Sequence, residues 1–259
     1  MSATGLLLLA AAVLTGSNRE RSGFISIGPD HAPGVLVNLT PGARPFDPAD
    51  PSRPTLVFVQ GSNPVSKVVR LTMGKEFAAA VSRREGNRCN VLEWSWGGGS
   101  VVGLNPRANH EAAVIQGQRL AGSLLNAGLS PDRVQIIGQS LGCVVAATAS
   151  RVLCDSTGIR VERLTLLDPA TSYHDIVFQR MGVETSGNRV EHYWAPGPSG
   201  FSKPVGRAGV WDIRVDVPSP VIGMVAMPRS AHWGLVRWYF STVGNPEVPY
   251  GYNAAPPGR

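Results

Sequence analysis

Ser140 sits between two glycines in Gly138-Gln139-Ser140-Leu141-Gly142, directly after the β-branched run Val134-Gln135-Ile136-Ile137 and ahead of the small-residue stretch Cys143-Val144-Val145-Ala146-Ala147. Strand, tight turn and helix in that order form a nucleophile elbow, which lifts a serine hydroxyl clear of a sheet. Both glycines have a physical reason, because the residue between them is forced into strained geometry that a neighbouring Cβ would obstruct. A serine hydroxyl is a weak nucleophile and needs a base to take its proton and a third group to hold that base in the right tautomer. The pattern alone discriminates little in a chain with 30 glycines, so its context has to carry it.

Partners for the serine are sought where other strands stop. Arg163-Leu164-Thr165-Leu166-Leu167 is a buried strand that ends on Asp168-Pro169, which makes Asp168 the clearest acid, with Asp175 and Asp216 in reserve. Three histidines follow it. His174 is close enough to share the loop of Asp168, and His192 falls inside a strand, where a partly exposed structural role suits it. His232 follows the last strand and opens the last helix, the place the base requires. Two fixed N–H donors must hold the oxyanion: Leu141, next to the serine at a helix start, and Ser62, beyond the strand that ends at Gln60-Gly61.

The elements that would position these groups alternate. Strands are expected over Thr55–Gln60, Asn90–Trp94, Val134–Ile137, Arg163–Leu167, Val190–Trp194 and Gly209–Val215. Helices are expected from about Thr72 to Arg84, Asn109 to Ala127, after the elbow to Asp155, and His232 to Phe240. An earlier hairpin is expected from Phe24–Ile27 and Val35–Leu39. Alternation of this kind predicts an α/β domain with a doubly wound, mainly parallel sheet. A chain of 259 residues suits one such domain, assigned to 23–243, with a loose Pro/Gly-rich tail over 244–259.

Leu6–Leu14 is an apolar block too short to span a bilayer but long enough for a signal-peptide core, although Met1–Gly5 carries no Lys or Arg. Residues 1–22 are therefore expected to direct secretion, periplasmic export or membrane association, against the alternative of a cytoplasmic protein with an apolar N-terminal segment. The net charge of +6 comes from scattered arginines and the three lysines Lys67, Lys75 and Lys203, with no basic run, which argues against nucleic-acid binding and leaves peripheral membrane contact open. Cys89, Cys143 and Cys154 lack metal-site or disulfide spacing, and Cys143 and Cys154 are expected on one helix, too far apart to bridge. No metal and no cofactor is expected.

The segments Leu56–Gly61, Asn90–Trp94, Ile136–Gly142, Leu164–Ala170 and His232 together resemble the catalytic domain of the pancreatic-lipase-like family of α/β-hydrolases, over about residues 55 to 240. Leu167-Asp168-Pro169-Ala170 is the discriminating part, since that family places its acid after the strand following the elbow. The resemblance implies an α/β-hydrolase fold with Ser140 as nucleophile, Asp168 as acid, His232 as base, and Ser62 and Leu141 as oxyanion donors. The chain departs from the family in having Gln139 and Gln60 where histidines are usual, and in lacking the C-terminal lipid-binding domain. In place of a disulfide-closed lid stands a short apolar stretch in which Val221, Ile222, Met224, Val225 and Met227 would form a lid or acyl-pocket wall. The implied activity is a serine carboxylic-ester hydrolase of lipase, esterase or phospholipase type, acting on a lipid or small ester. Acyl transfer or thioester cleavage by the same triad, and a non-catalytic lipid-binding role, are the alternatives.

Overall fold

A computed structural model describes residues 34–61, 67–96, 106–196, 202–217 and 230–253. Ser62, the stretch from Val221 to Met227, the arm Phe24–Ile27 and the apolar N-terminal block lie outside the described residues.

Seven strands form one sheet: β1 (Val35–Asn38), β2 (Thr55–Val59), β3 (Asn90–Ser95), β4 (Val134–Gln139), β5 (Val161–Leu167), β6 (Gly187–Trp194) and β7 (Val210–Arg214), in the order β1-β3-β2-β4-β5-β6-β7. β1 is antiparallel to β3, and every other pairing is parallel. Among the described residues the long helices are α1 (Lys67–Glu85), α2 (Pro106–Asn126), α3 (Gly142–Thr157) and α4 (Ser230–Val243). Pro106 stands at the first position of α2, where its missing N–H removes nothing from the helix.

The apolar strand runs read as continuous because the sheet is covered on both faces. On one face Val57, Val59, Ile136, Leu164, Leu166 and Val190 pack with residues of α2 and α3. On the other, Leu56, Phe58, Ile137, Leu167, Tyr193 and Ile213 pack with residues of α1 and α4. Gly117 of α2 lets that helix approach α3, since a Cβ there would meet Thr148 Cβ at 2.5 Å. Cys89 and Cys143 are buried and all three cysteines are unbridged, with Cys143 and Cys154 both on α3. Burial pushes the Cys89 thiol up to about 11 and that of Cys143 upward as well, so both stay protonated.

Two sequence expectations need correction. The stretch after Asp168 is not a plain loop: it winds through a turn at Thr171–Tyr173, a π-helix at Asp175–Arg180 and a turn at Val183–Thr185. The tail is not loose through its described part, because the Arg163 guanidinium donates to the carbonyls of Gly251 and Tyr252, and the Gly251 N–H donates to the Tyr193 hydroxyl at 2.8 Å. Arg163 is itself held by the buried Glu191 carboxylate of the neighbouring strand at 2.6 Å, so a buried ion pair and two backbone carbonyls together fix the 251–252 segment.

Candidate active site

The parallel strands β2, β4, β5 and β6 all point their carboxyl ends to the same edge, where open α/β sheets gather reactive groups. Ser140 and Asp168 are the described non-glycine residues with positive φ, at 55° and 50°. Each is the last residue held in the sheet. The Ser140 N–H donates to the Leu167 carbonyl at 2.9 Å, and the Asp168 N–H donates to the Tyr193 carbonyl at 2.8 Å. Each chain then turns left-handed and throws its side chain off the strand end. A non-glycine residue in that region costs about 1 kcal/mol or more, and such strain concentrates at functional sites.

Close packing explains the glycines of the elbow. A Cβ on Gly138 would lie 2.6 Å from the Gly142 carbonyl oxygen and 2.8 Å from Cys143 Cα, and one on Gly142 would collide with the Val59 carbonyl of β2. The elbow thus wedges the start of α3 against both its own strand and β2. Leu141 adopts helical φ and ψ ahead of Gly142, and the Cys143 N–H bonds back to the Ser140 carbonyl at 2.9 Å. Leu141 therefore stands at the positive end of the helix dipole.

From α4, His232 reaches Asp168 with Nδ1 2.6 Å from Oδ2. The other carboxylate oxygen of Asp168 accepts the Ala195 N–H at 3.2 Å, which fixes the carboxylate plane. Asp168 is 2 % exposed and His232 8 %, so the pair is screened from water on most sides. The sequence places the acid and base 64 residues apart, and the fold brings them together. Asp175 and Asp216 do not join them: Asp175 accepts from Gln179 at 3.1 Å, and Asp216 pairs with Arg214.

Gln139 has a position that its neighbours in sequence do not reveal. Its Oε1 accepts the Gly61 N–H at 3.0 Å, and its Nε2 lies 2.6 Å from His232 Nε2. Gly61 is equally confined, since a Cβ there would meet the Gln139 carbonyl at 2.5 Å and Ser140 Cβ at 2.6 Å. The end of β2 therefore runs directly alongside the serine. The Trp96 indole donates to the Gln60 carbonyl at 2.8 Å and pins that strand end. Among the described residues the Gln60 side-chain amide is buried without a hydrogen-bond partner, and nothing there explains its type.

His192 is corrected from a partly exposed residue to a wholly buried one, at 0 % exposure. Its Nδ1 lies 2.6 Å from Asp212 Oδ1 across the β6–β7 ladder, where the two residues stand in register. Asp212 Oδ2 also accepts the Val205 and Gly206 N–H groups at 2.9 and 2.6 Å. These bonds hold the Asp212 carboxyl below its ordinary value although burial works against them. His174 packs edge-on to His192 with ring centroids 5.6 Å apart. Burial, followed by the charge of His192, pushes His174 down to about 4.

A mainly parallel seven-stranded sheet with helices on both faces, and a serine elbow between a central strand and the following helix, make this an α/β-hydrolase fold. No family model matches the sequence, and no curated protein matches it. Among solved structures, a thermophilic esterase of the planctomycete Thermogutta terrifontis superposes with a TM-score of 0.42 at 14% identity, covering 87% of this chain and 90% of its own. A Bacillus cereus carboxylesterase gives 0.42 at 11%, covering 81% and 93%. A type II thioesterase of yersiniabactin biosynthesis gives 0.40 at 12%, covering 70% and 89%. At these scores the likeness decides nothing about substrate or residue roles, and the sheet order and elbow themselves define the fold.

Proposed function

We propose that this protein is a serine carboxylic-ester hydrolase working through an acyl-enzyme. One observation carries the reading: Asp168 and His232 form a 2.6 Å pair at the same sheet edge where Ser140 is held at a φ of 55°. In this reading the Ser140 Oγ attacks the ester carbonyl while its proton passes to His232 Nε2. Asp168 holds the Nδ1 proton and stabilises the imidazolium. The tetrahedral oxyanion is met by the Leu141 N–H at the start of α3. Because the Gly61 N–H is already committed to Gln139, the second donor is assigned to the next residue, Ser62. The oxyanion collapses, the leaving alkoxide takes the proton from His232, and a water activated by the same base hydrolyses the acyl-serine.

The resemblance to pancreatic-lipase-like domains supports a lipid or small ester as substrate, with the Val221–Met227 stretch as a lid or acyl-pocket wall. Purified protein should hydrolyse p-nitrophenyl butyrate, and Ser140→Ala should reduce that rate by at least about 10⁴-fold. Unchanged hydrolysis by Ser140→Ala would sink the reading. Product analysis with an added alcohol or thioester distinguishes hydrolysis from acyl transfer and thioester cleavage by the same residues.

A further inference from the structure

The bond directions around Gln139 are fixed by one donor that cannot reverse. A backbone N–H can only donate, so the amide atom facing Gly61 at 3.0 Å must be the oxygen. The NH₂ group then faces His232 Nε2 at 2.6 Å, and that nitrogen must offer its lone pair. A neutral imidazole with a bare Nε2 carries its proton on Nδ1, toward Asp168 Oδ2. The chain Gly61–Gln139–His232–Asp168 therefore has a single consistent arrangement of protons, and that arrangement leaves the base neutral.

We propose that Gln139 is a positioning residue that holds His232 in its neutral, Nδ1-protonated form and ties the base to the end of β2. The inference rests on the ester-hydrolase reading for its catalytic meaning. When Ser140 gives up its proton, His232 carries an N–H on both nitrogens, and an NH₂ group can no longer face Nε2. The Gln139–His232 bond must break at that step, while the Gly61–Gln139 bond can persist. Gln139 thus stabilises the resting base and releases it on reaction, and its polarity, not only its shape, matters. Among the described residues, those that face His232 include the Asp168 carboxylate from the end of β5, the neutral Gln139 amide from β4 and, edge-on, Trp233 of its own helix.

Two substitutions separate polarity from shape. Q139E keeps the size and the acceptor for Gly61 but turns an acceptor toward His232 Nε2, which favours the imidazolium. Q139M keeps the approximate length and offers no comparable hydrogen bond to either side. At pH 7, Q139E is expected to lower kcat/KM for p-nitrophenyl butyrate by about tenfold or more, with recovery at alkaline pH as the acidic limb of the profile moves upward. Q139M is expected to lose only about threefold, with its limb moved upward by less than in Q139E, because it removes the donor to the neutral ring without adding an acceptor. A purely shape-keeping role predicts the reverse order, so a Q139E profile matching the parent overturns the proposal. A readout independent of catalysis is ¹⁵N NMR of histidine-labelled protein, with His232 assigned by its loss in His232→Asn. The parent should show one bare and one protonated ring nitrogen at pH 7, and Q139E two protonated nitrogens. Two protonated nitrogens in the parent, or an unchanged ring in Q139E, overturns the proposal even if no ester is cleaved. The expected NMR result in a parent with no hydrolysis overturns the ester-hydrolase reading instead.

Discussion

Among the described residues two aspartate–histidine pairs share the same 2.6 Å contact, Asp168–His232 and Asp212–His192, and one of them stands beside a serine elbow. Their carboxylates are both clamped by backbone N–H groups, from Ala195 in one case and from Val205 and Gly206 in the other. The difference lies at the far nitrogen of each ring. His232 Nε2 meets the Gln139 amide, whereas His192 Nε2 is buried with no hydrogen-bond partner among the described residues. It also lies in how each pair is made. Asp212 and His192 face one another across adjacent strands in register, as any cross-strand pair does. Asp168 instead leaves the sheet with a φ of 50° to meet a histidine on a helix. An aspartate bonded to a histidine is thus a common structural clip. What marks the candidate site is the backbone strain that lifts both Ser140 and Asp168 off their strands.

Substitution of the two pairs in parallel tests that distinction most strongly. Asp168→Asn and His232→Ala should each lower kcat by about 10³- to 10⁴-fold, measured below their unfolding transitions. Asp212→Asn and His192→Ala should leave kcat within about threefold below the unfolding transition. They should cost about 2–4 kcal/mol in urea unfolding, because each strands a buried polar partner. Loss of catalysis in a folded His192 variant would erase the contrast.

The glycines give a smaller effect with the same logic. Gly142→Ala drives a Cβ into the Val59 carbonyl and should cost about 3 kcal/mol or prevent folding. Gly158 caps α3 with a φ of 72° and open space around it, so Gly158→Ala should cost only about 1 kcal/mol. Equal costs at the two positions would show that the elbow is not tightly packed.

Acid sensitivity should come from His174. His174 titrates at about 4 in the folded chain, against an ordinary 6.5. Between those values the unfolded chain binds more protons, so stability rises with pH there and is lost as pH falls from about 6.5 toward 4. His174→Asn should flatten that part of the stability profile, by on the order of 2 kcal/mol at its acidic end. An unchanged slope in urea midpoints across this range would remove His174 as the cause.

The strands were legible because buried parallel strands write themselves as β-branched runs, and Ser140 and Asp168 stood where two such runs stopped. His232 was legible as the histidine after the last strand. The turns between Thr171 and Thr185 were not, because Tyr173-His174-Asp175-Ile176 follows neither a helical nor a strand period and the segment winds partly as a π-helix. The anchoring of Gly251 and Tyr252 also left no trace in the sequence, since Arg163 grips their backbone carbonyls and not their side chains. Gln139 looked like a departure beside the serine. Its meaning depends on Gly61 and His232, which lie 78 and 93 residues away and arrive only with the fold.

The central claim is that the strained serine is the nucleophile of this edge of the sheet. Treatment of the purified protein with a fluorophosphonate, followed by peptide mass spectrometry, tests it directly. The account predicts one covalent adduct on the peptide bearing Ser140, absent in Ser140→Ala and strongly slowed in His232→Ala. No adduct on the folded parent, or labelling that persists in Ser140→Ala, would contradict it.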